Sequence, residues 1–187
     1  MDLAQLQQLS RTGKRPKYLF FWGHRPEADG SIGKGCLSQW WGASFVVDGI
    51  LYSTAEHFMM AEKARLFEDT ETLEQILEAK SPGAAKRFGR QVRDFDEDAW
   101  VAAREGIVVR ASLAKFGQNA APGNFLRTTG DRVLVEASPR DRIWGIGLAK
   151  EDPRAQNPLQ WRGLNLLGFA LMEARRRLRE GGGEEAP

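Results

Sequence analysis

Cysteine is nearly absent from this chain: Cys36 stands alone among 187 residues. An internal disulfide is therefore impossible, and a metal centre built on several thiolates is excluded. A lone thiol suits a reducing compartment. Histidine is almost as scarce. His24 and His57 fall in neither an HxxxH nor an HExxH spacing, which argues against a histidine-rich metal centre. No apolar run approaches the roughly 18 residues of a membrane span. Met1–Lys14 has no apolar stretch of the kind a signal peptide needs. The expected location is cytoplasmic, away from membranes. Charge of one sign is lacking too, with 27 basic against 25 acidic residues and a net charge of +2. That balance gives no broad footprint for DNA or RNA, although a nucleotide needs only a local basic pocket.

What is present is ordinary for a globular protein: 42% apolar and 28% charged residues. The length suits one domain with a real core. Residues 1–16 are polar and read as a flexible N-terminus. The folded unit is expected over 17–179, and EGGGEEAP at 180–187 reads as a disordered tail. Tyr18-Leu-Phe-Phe-Trp22 reads as a buried strand. Asp48-Gly49, between Phe45-Val-Val47 and Ile50-Leu-Tyr52, is a hairpin signal. Ser53 or Thr54 opens a helix to about Phe67. Ser81-Pro82 caps one to about Gln91. Asp96-Glu-Asp98 opens a longer one to about Phe116. Val133-Leu-Val135 is a short strand, and Leu164–Arg179 a final helix. Strands and helices mix without βαβ alternation. The predicted fold is α+β, a compact, helix-rich single domain with a small sheet.

Three segments can carry chemistry. In the first, Glu56, Met60, Lys63 and Phe67 share one side of a mostly apolar helix. Glu56 and Lys63 stand about 10 Å apart along its axis, a gap suited to a small ligand. The plain alternative is a capping box from Ser53 to Glu56, with Lys63 reaching out to water. The second is Glu136-Ala-Ser-Pro-Arg-Asp-Arg-Ile-Trp-Gly-Ile-Gly147. Trp144 beside Gly145 allows close approach to a flat ligand, and Asp141 can accept hydrogen bonds from a base. The alternative is a tight turn with Trp144 in the core and Asp141 paired to Arg140 or Arg142. The third is Phe21-Trp-Gly-His-Arg25, where Gly23, His24 and Arg25 can receive a phosphate; His24 can equally be a structural histidine. Trp40, Trp41 and Trp100 read as core residues that can show an edge to a pocket.

In this order the segments resemble the NADAR family. The resemblance rests on Phe20–His24, Leu37–Trp41, Tyr52–Ala64, Gly89–Val92, Lys115–Asn119, Glu136–Leu148 and Trp161–Gly168, and so covers most of the folded unit. The family includes N-glycosidases acting on early riboflavin-biosynthesis intermediates and enzymes that remove ADP-ribose from guanine. The resemblance implies a compact α+β fold, catalytic roles for Glu56 and Lys63, and base binding by Asp141 and Trp144. Where many relatives have Ser-Asn-Phe this chain has Ser38-Gln39-Trp40, a departure that bears on substrate choice. The implied substrate is a small nucleotide-like molecule, with ADP-ribosylated nucleic acid as the second reading and a non-catalytic ADP-ribose sensor as the third. One mechanism has Glu56 activate water or protonate the leaving base; another has Lys63 form a Schiff base with an opened ribose. Neither needs a metal or an organic cofactor.

Overall fold

The computed structural model describes residues 1–181. Two strands, β1 (Tyr18–Phe21) and β4 (Val133–Glu136), run in parallel with Phe21 opposite Glu136. Parallel neighbours require a crossover. Here the crossover holds a hairpin and five helices. β2 (Phe45–Val47) and β3 (Ile50–Tyr52) form the antiparallel hairpin. Asp48 and Gly49 both have positive φ, 51° and 77°, as a two-residue type I′ turn demands. The small sheet expected from the sequence is thus two separate two-stranded sheets.

The helices begin where short polar side chains can satisfy free backbone N–H groups. Thr54 caps α2 (Ala55–Leu66), Ser81 caps α4 (Pro82–Gly89), and Asp96 caps α5 (Glu97–Gln118). α7 (Leu166–Gly181) closes the described chain. The EGGGEEAP stretch lies outside the described residues apart from its first two, which extend α7.

The sequence reading did not identify three helices: α1 (Leu3–Arg11), α3 (Thr70–Leu77) and α6 (Ala120–Thr128). The first corrects the expectation of a loose N-terminus. Asp2 and Gln5 cap each other's backbone N–H, and Leu6 is fully buried against Val133, Val135 and Ile146. β1 also stops one residue early, leaving Trp22 64% exposed. A polar pattern concealed the first helix, and an apolar run overstated the strand.

α2 is central. It packs on α3, α4 and α5, and every residue from Ala55 to Ala61 is buried. α5 packs along α7, and Phe45, Phe58, Phe116, Leu134 and Leu171 fill the core between. The fold is α+β, as expected. Among the described residues no helix is long and apolar enough to cross a membrane.

Candidate active site

Glu56 is the second residue of α2 and only 2% exposed. It does not form the capping box that the sequence allows. Thr54, not Ser53, caps the helix by accepting from the His57 N–H, and the Glu56 N–H is satisfied by the Gln39 carbonyl at 3.1 Å. His57 is locked alongside, its Nε2–H donating to the Ala79 carbonyl at 3.1 Å and its Nδ1 accepting from the Thr54 hydroxyl at 2.8 Å. A carbonyl can only accept, which fixes that tautomer. The Glu56 side chain is left free of structural duty. Its Oε1 is buried without a hydrogen-bond partner. Burial pushes the carboxyl up to about 7, opposed by the charge of Lys86 and a hydrogen bond from Trp40 and reinforced by Asp141.

That carboxyl opens into a cavity of about 40 Å³ lined by Ser38, Gln39, Trp40, Lys86, Glu136, Asp141, Trp144 and Leu167. The volume suits about one water molecule. Glu136 ends β4 and brings a second carboxyl, whose Oε2 is also buried without a partner. Burial, with Asp141 and Glu56 nearby, pushes it up to about 8.

Asp141 and Trp144 reach the cavity on one turn. Asp141 Oδ1 accepts from the Ile143 N–H at 2.8 Å and from the Trp144 N–H at 2.7 Å. Asp141 therefore does hold a tight turn, but among the described residues it makes no ion pair with Arg140 or Arg142. Gly145 serves that turn. A Cβ there would lie 2.8 Å from the Glu136 carbonyl and 3.1 Å from the Asp141 carbonyl. Close backbone approach, rather than ligand approach, is what requires this glycine.

Gly23, His24 and Arg25 line a neighbouring cleft of about 580 Å³ with Trp22, Lys34 and Lys150. Gly23 supplies the turn out of β1 with φ 80°. His24 and Arg25 are exposed, so His24 is no core histidine. The His24 ring lies 5.6 Å from that of Trp40, joining the cleft to the cavity. Both spaces sit at the carboxyl ends of the parallel strands, the usual ligand edge of such a pair. A larger cleft of about 1000 Å³ at the other end of β1 contains no carboxylate in its lining.

Lys63 and Trp100 stand apart from these groups. The expected ligand gap between Glu56 and Lys63 is filled, because Met60 packs directly on Gly89. Lys63 Nζ donates to the Gly89 carbonyl at 2.8 Å and lies over the rings of Phe95 and Trp100 at 4.1 and 5.8 Å. Burial lowers its pKa, opposed by Glu97. Trp100 is buried in the core.

Sequence reasoning passed over Glu136 and Lys86 as site residues and gave Gln39 only as part of a segment that bears on substrate choice. Glu136 had a signal: an acid directly after three apolar residues, at the carboxyl end of a strand. Lys86 had none, because one basic residue on a short helix looks like any solvated side chain. The support beneath Gln39 and Trp40 was equally hidden. Lys115, fully buried in α5, donates to the Cys36 and Ser38 carbonyls, both at 2.7 Å. Burial holds its pKa down to about 7.

Known proteins are similar to this chain in sequence and in fold. The N-glycosidase R617 of Acanthamoeba polyphaga mimivirus is 37% identical over 164 residues, covering 85% of this chain and 95% of the relative. N-glycosidase YbiA of Escherichia coli K12 is 33% identical over 132 residues, 71% of this chain and 74% of the relative. The NMR structure of E. coli YbiA superposes with a TM-score of 0.73 at 28% identity, covering 93% of this chain and 92% of that one. The NADAR domain matches residues 20–179, and with relatives this similar over most of its length, the chain belongs to the NADAR family.

Proposed function

We propose that this protein is an N-glycosidase that hydrolyses the bond between a ribose phosphate or ADP-ribose and a nitrogen base. The observation that carries this reading is the Glu56 carboxyl, buried with its Oε1 unpartnered in a water-sized cavity beside an aromatic and basic cleft. Two similar proteins carry the name N-glycosidase, which supports the same chemistry.

In this reading the cleft holds the sugar phosphate. Arg25, Lys34 and Lys150 meet the phosphate, and the exposed face of Trp22 meets the flat part of the ligand. The bond to be cut lies towards Trp40, where cleft and cavity meet. Breaking it builds positive charge on the anomeric carbon. Glu56 takes a proton from the water in the cavity as that water attacks. A carboxyl held near 7 is well matched to taking up and releasing a proton at neutral pH. Asp141 and Trp144 line the same cavity, which takes the water, and orient the base from its mouth beside Trp40.

A small metabolite is the favoured substrate, because the net charge of +2 offers little general attraction for a polyanion. The test is product release from a ribosylaminopyrimidine phosphate of early riboflavin synthesis and from an ADP-ribosylated guanine oligonucleotide, with wild type and Glu56→Gln. Release of base and sugar phosphate from the first, reduced about 10²–10⁴-fold in the variant, is the expected result. Release only from the oligonucleotide moves the substrate to nucleic acid. Binding without release from either makes the protein a sensor.

The covalent route has one observation in its favour, the burial that lowers the Lys63 amine. Borohydride added during turnover decides the matter. A reduced adduct on Lys63 establishes the Schiff base, and turnover without any adduct establishes direct attack by water.

A further inference from the structure

We infer that Glu136 is the proton donor of the reaction, paired with Glu56 across one cavity, so that one carboxyl gives a proton to the departing base while the other takes one from water. This rests on the glycosidase reading above and adds a second carboxyl to it.

The geometry is specific. Glu136 is the last residue of β4, and its backbone is clamped: the Ile146 N–H donates to its carbonyl at 2.9 Å, and its own N–H donates to Asn165 Oδ1 at 2.9 Å. Asn165 is fully buried and also donates from Nδ2 to the Leu134 carbonyl at 3.0 Å. The strand end cannot swing away. Its carboxyl lines the same small cavity as Glu56, and each carboxyl has one oxygen buried with no partner. Glu136 as a whole is half-buried, but the orphaned oxygen of each carboxyl is shut away from water, and such an oxygen is costly to ionise. The charged groups facing Glu136 are Asp141 on the following turn, Glu56 on α2 and Lys86 on α4; Arg90 on α4 acts on Glu56. One lysine faces three carboxylates. Protonation relieves the like charge, and such a pair titrates as a unit. Lys86, Arg90 and a hydrogen bond from Trp40 all favour the ionised form of Glu56, whereas Glu136 has no such hydrogen bond and feels Asp141 more strongly than Lys86, so Glu136 is the acid and Glu56 the base.

The step balances. The bond from the anomeric carbon to nitrogen breaks, and its electron pair goes to nitrogen. The Glu136 carboxyl gives its proton to that nitrogen. Water adds to the anomeric carbon and loses its proton to the Glu56 carboxylate. The free base and the sugar hydroxyl leave. One proton passing from Glu56 to Glu136 restores the starting state.

A proton donor matters only when the leaving group needs a proton. Glu136→Gln is therefore compared with wild type on two compounds: the ribosylaminopyrimidine phosphate and p-nitrophenyl ribofuranoside 5-phosphate, whose nitrophenolate leaves unaided. We expect kcat to fall at least about 100-fold on the first and by less than about fivefold on the second, with Glu136→Asp partly restoring the first. Equal losses on both substrates would overturn the donor role and make Glu136 structural. A second measurement needs no variant. Carbon-13 NMR of the wild-type glutamate carboxyls should show Glu136 protonated at pH 7, and an ionised Glu136 at pH 6 overturns the inference whatever is turned over. A protonated Glu136 in a wild type that cleaves neither substrate overturns the glycosidase reading instead, and the donor role with it.

Discussion

Asp141 shows how one side chain can hold a turn and set a charge at once. Its Oδ1 accepts two backbone N–H groups, from Ile143 and Trp144, while its charge acts on Glu56 and Glu136. Two substitutions separate these roles. Asparagine keeps an acceptor at Oδ1 and removes the charge. Asp141→Asn should leave the melting temperature nearly unchanged and move the pH–rate profile to lower pH, because a like charge beside both carboxyls has gone. Alanine removes the acceptor as well. Asp141→Ala should lose about 1–3 kcal/mol of stability and weaken binding as Trp144 loses its fixed position. Equal pH profiles for wild type and Asp141→Asn would show that the charge does not reach the carboxyls. Trp144 is read by the same logic. It is half-buried against the core yet lines the cavity, so Trp144→Ala should weaken substrate binding, with base stacking on an aromatic ring contributing about 1–3 kcal/mol.

At the scale of elements, the site depends on what lies beneath it. α5 reaches under the segment that brings Gln39 and Trp40 to the cavity and holds it by side chains alone. Lys115 binds the Cys36 and Ser38 carbonyls, Gln118 binds both the N–H and the carbonyl of Val46, and Asn119 binds the Ser44 carbonyl. Lys115→Met keeps the apolar stem and removes the donor. The two carbonyls lose their partner, so stability should fall by about 1–3 kcal/mol in a denaturant titration, and kcat should fall as Trp40 shifts. A variant with unchanged kcat would mean that the segment holds its place without α5. This support could not be read in advance, because a lysine on an amphipathic helix usually points to water. The elements themselves were legible wherever one local rule dominated: Asp-Gly for the hairpin, Ser81-Pro82 and Asp96 for helix starts. They were hidden wherever packing decided. α1 is polar except for residues such as Leu6, and its place comes from Val133 and Ile146, distant in sequence. The test of that docking is Leu6→Ala, expected to lose about 2–5 kcal/mol, as for any core leucine. Glu56 was legible as a candidate by its setting among apolar residues. Lys63 was joined to it by helical periodicity and by the family resemblance, and neither registers that Met60 packs on Gly89 between them.

For the whole molecule, the buried carboxyls tie stability to pH in a direction opposite to ordinary acid denaturation. Unfolded, Glu56 and Glu136 titrate at about 4.3. Folded, burial holds them near 7 and 8. Between these limits the folded chain keeps protons that the unfolded chain has released. Their cost is therefore absent below about pH 4 and grows as pH rises, until both are ionised in the fold above about pH 8. Each proton contributes a slope of at most about 1.4 kcal/mol per pH unit. Surface acids act the other way and elsewhere. Glu173, held down to about 2 by Arg176 and Arg177, adds stability above its unfolded pKa that is lost as pH falls towards 2. His57 and Lys115 also titrate differently once folded, but a variant of the two glutamates retains them, so they cancel in the difference. The comparison is thus wild type against Glu56→Gln with Glu136→Gln, by denaturant titration from pH 5 to pH 8.5. Wild-type stability should fall relative to the variant across this range, and the inactive variant should be the more stable protein at pH 8. Parallel curves would mean that both carboxyls ionise normally in the folded chain, and the cavity would then lack the stored proton that the chemistry requires.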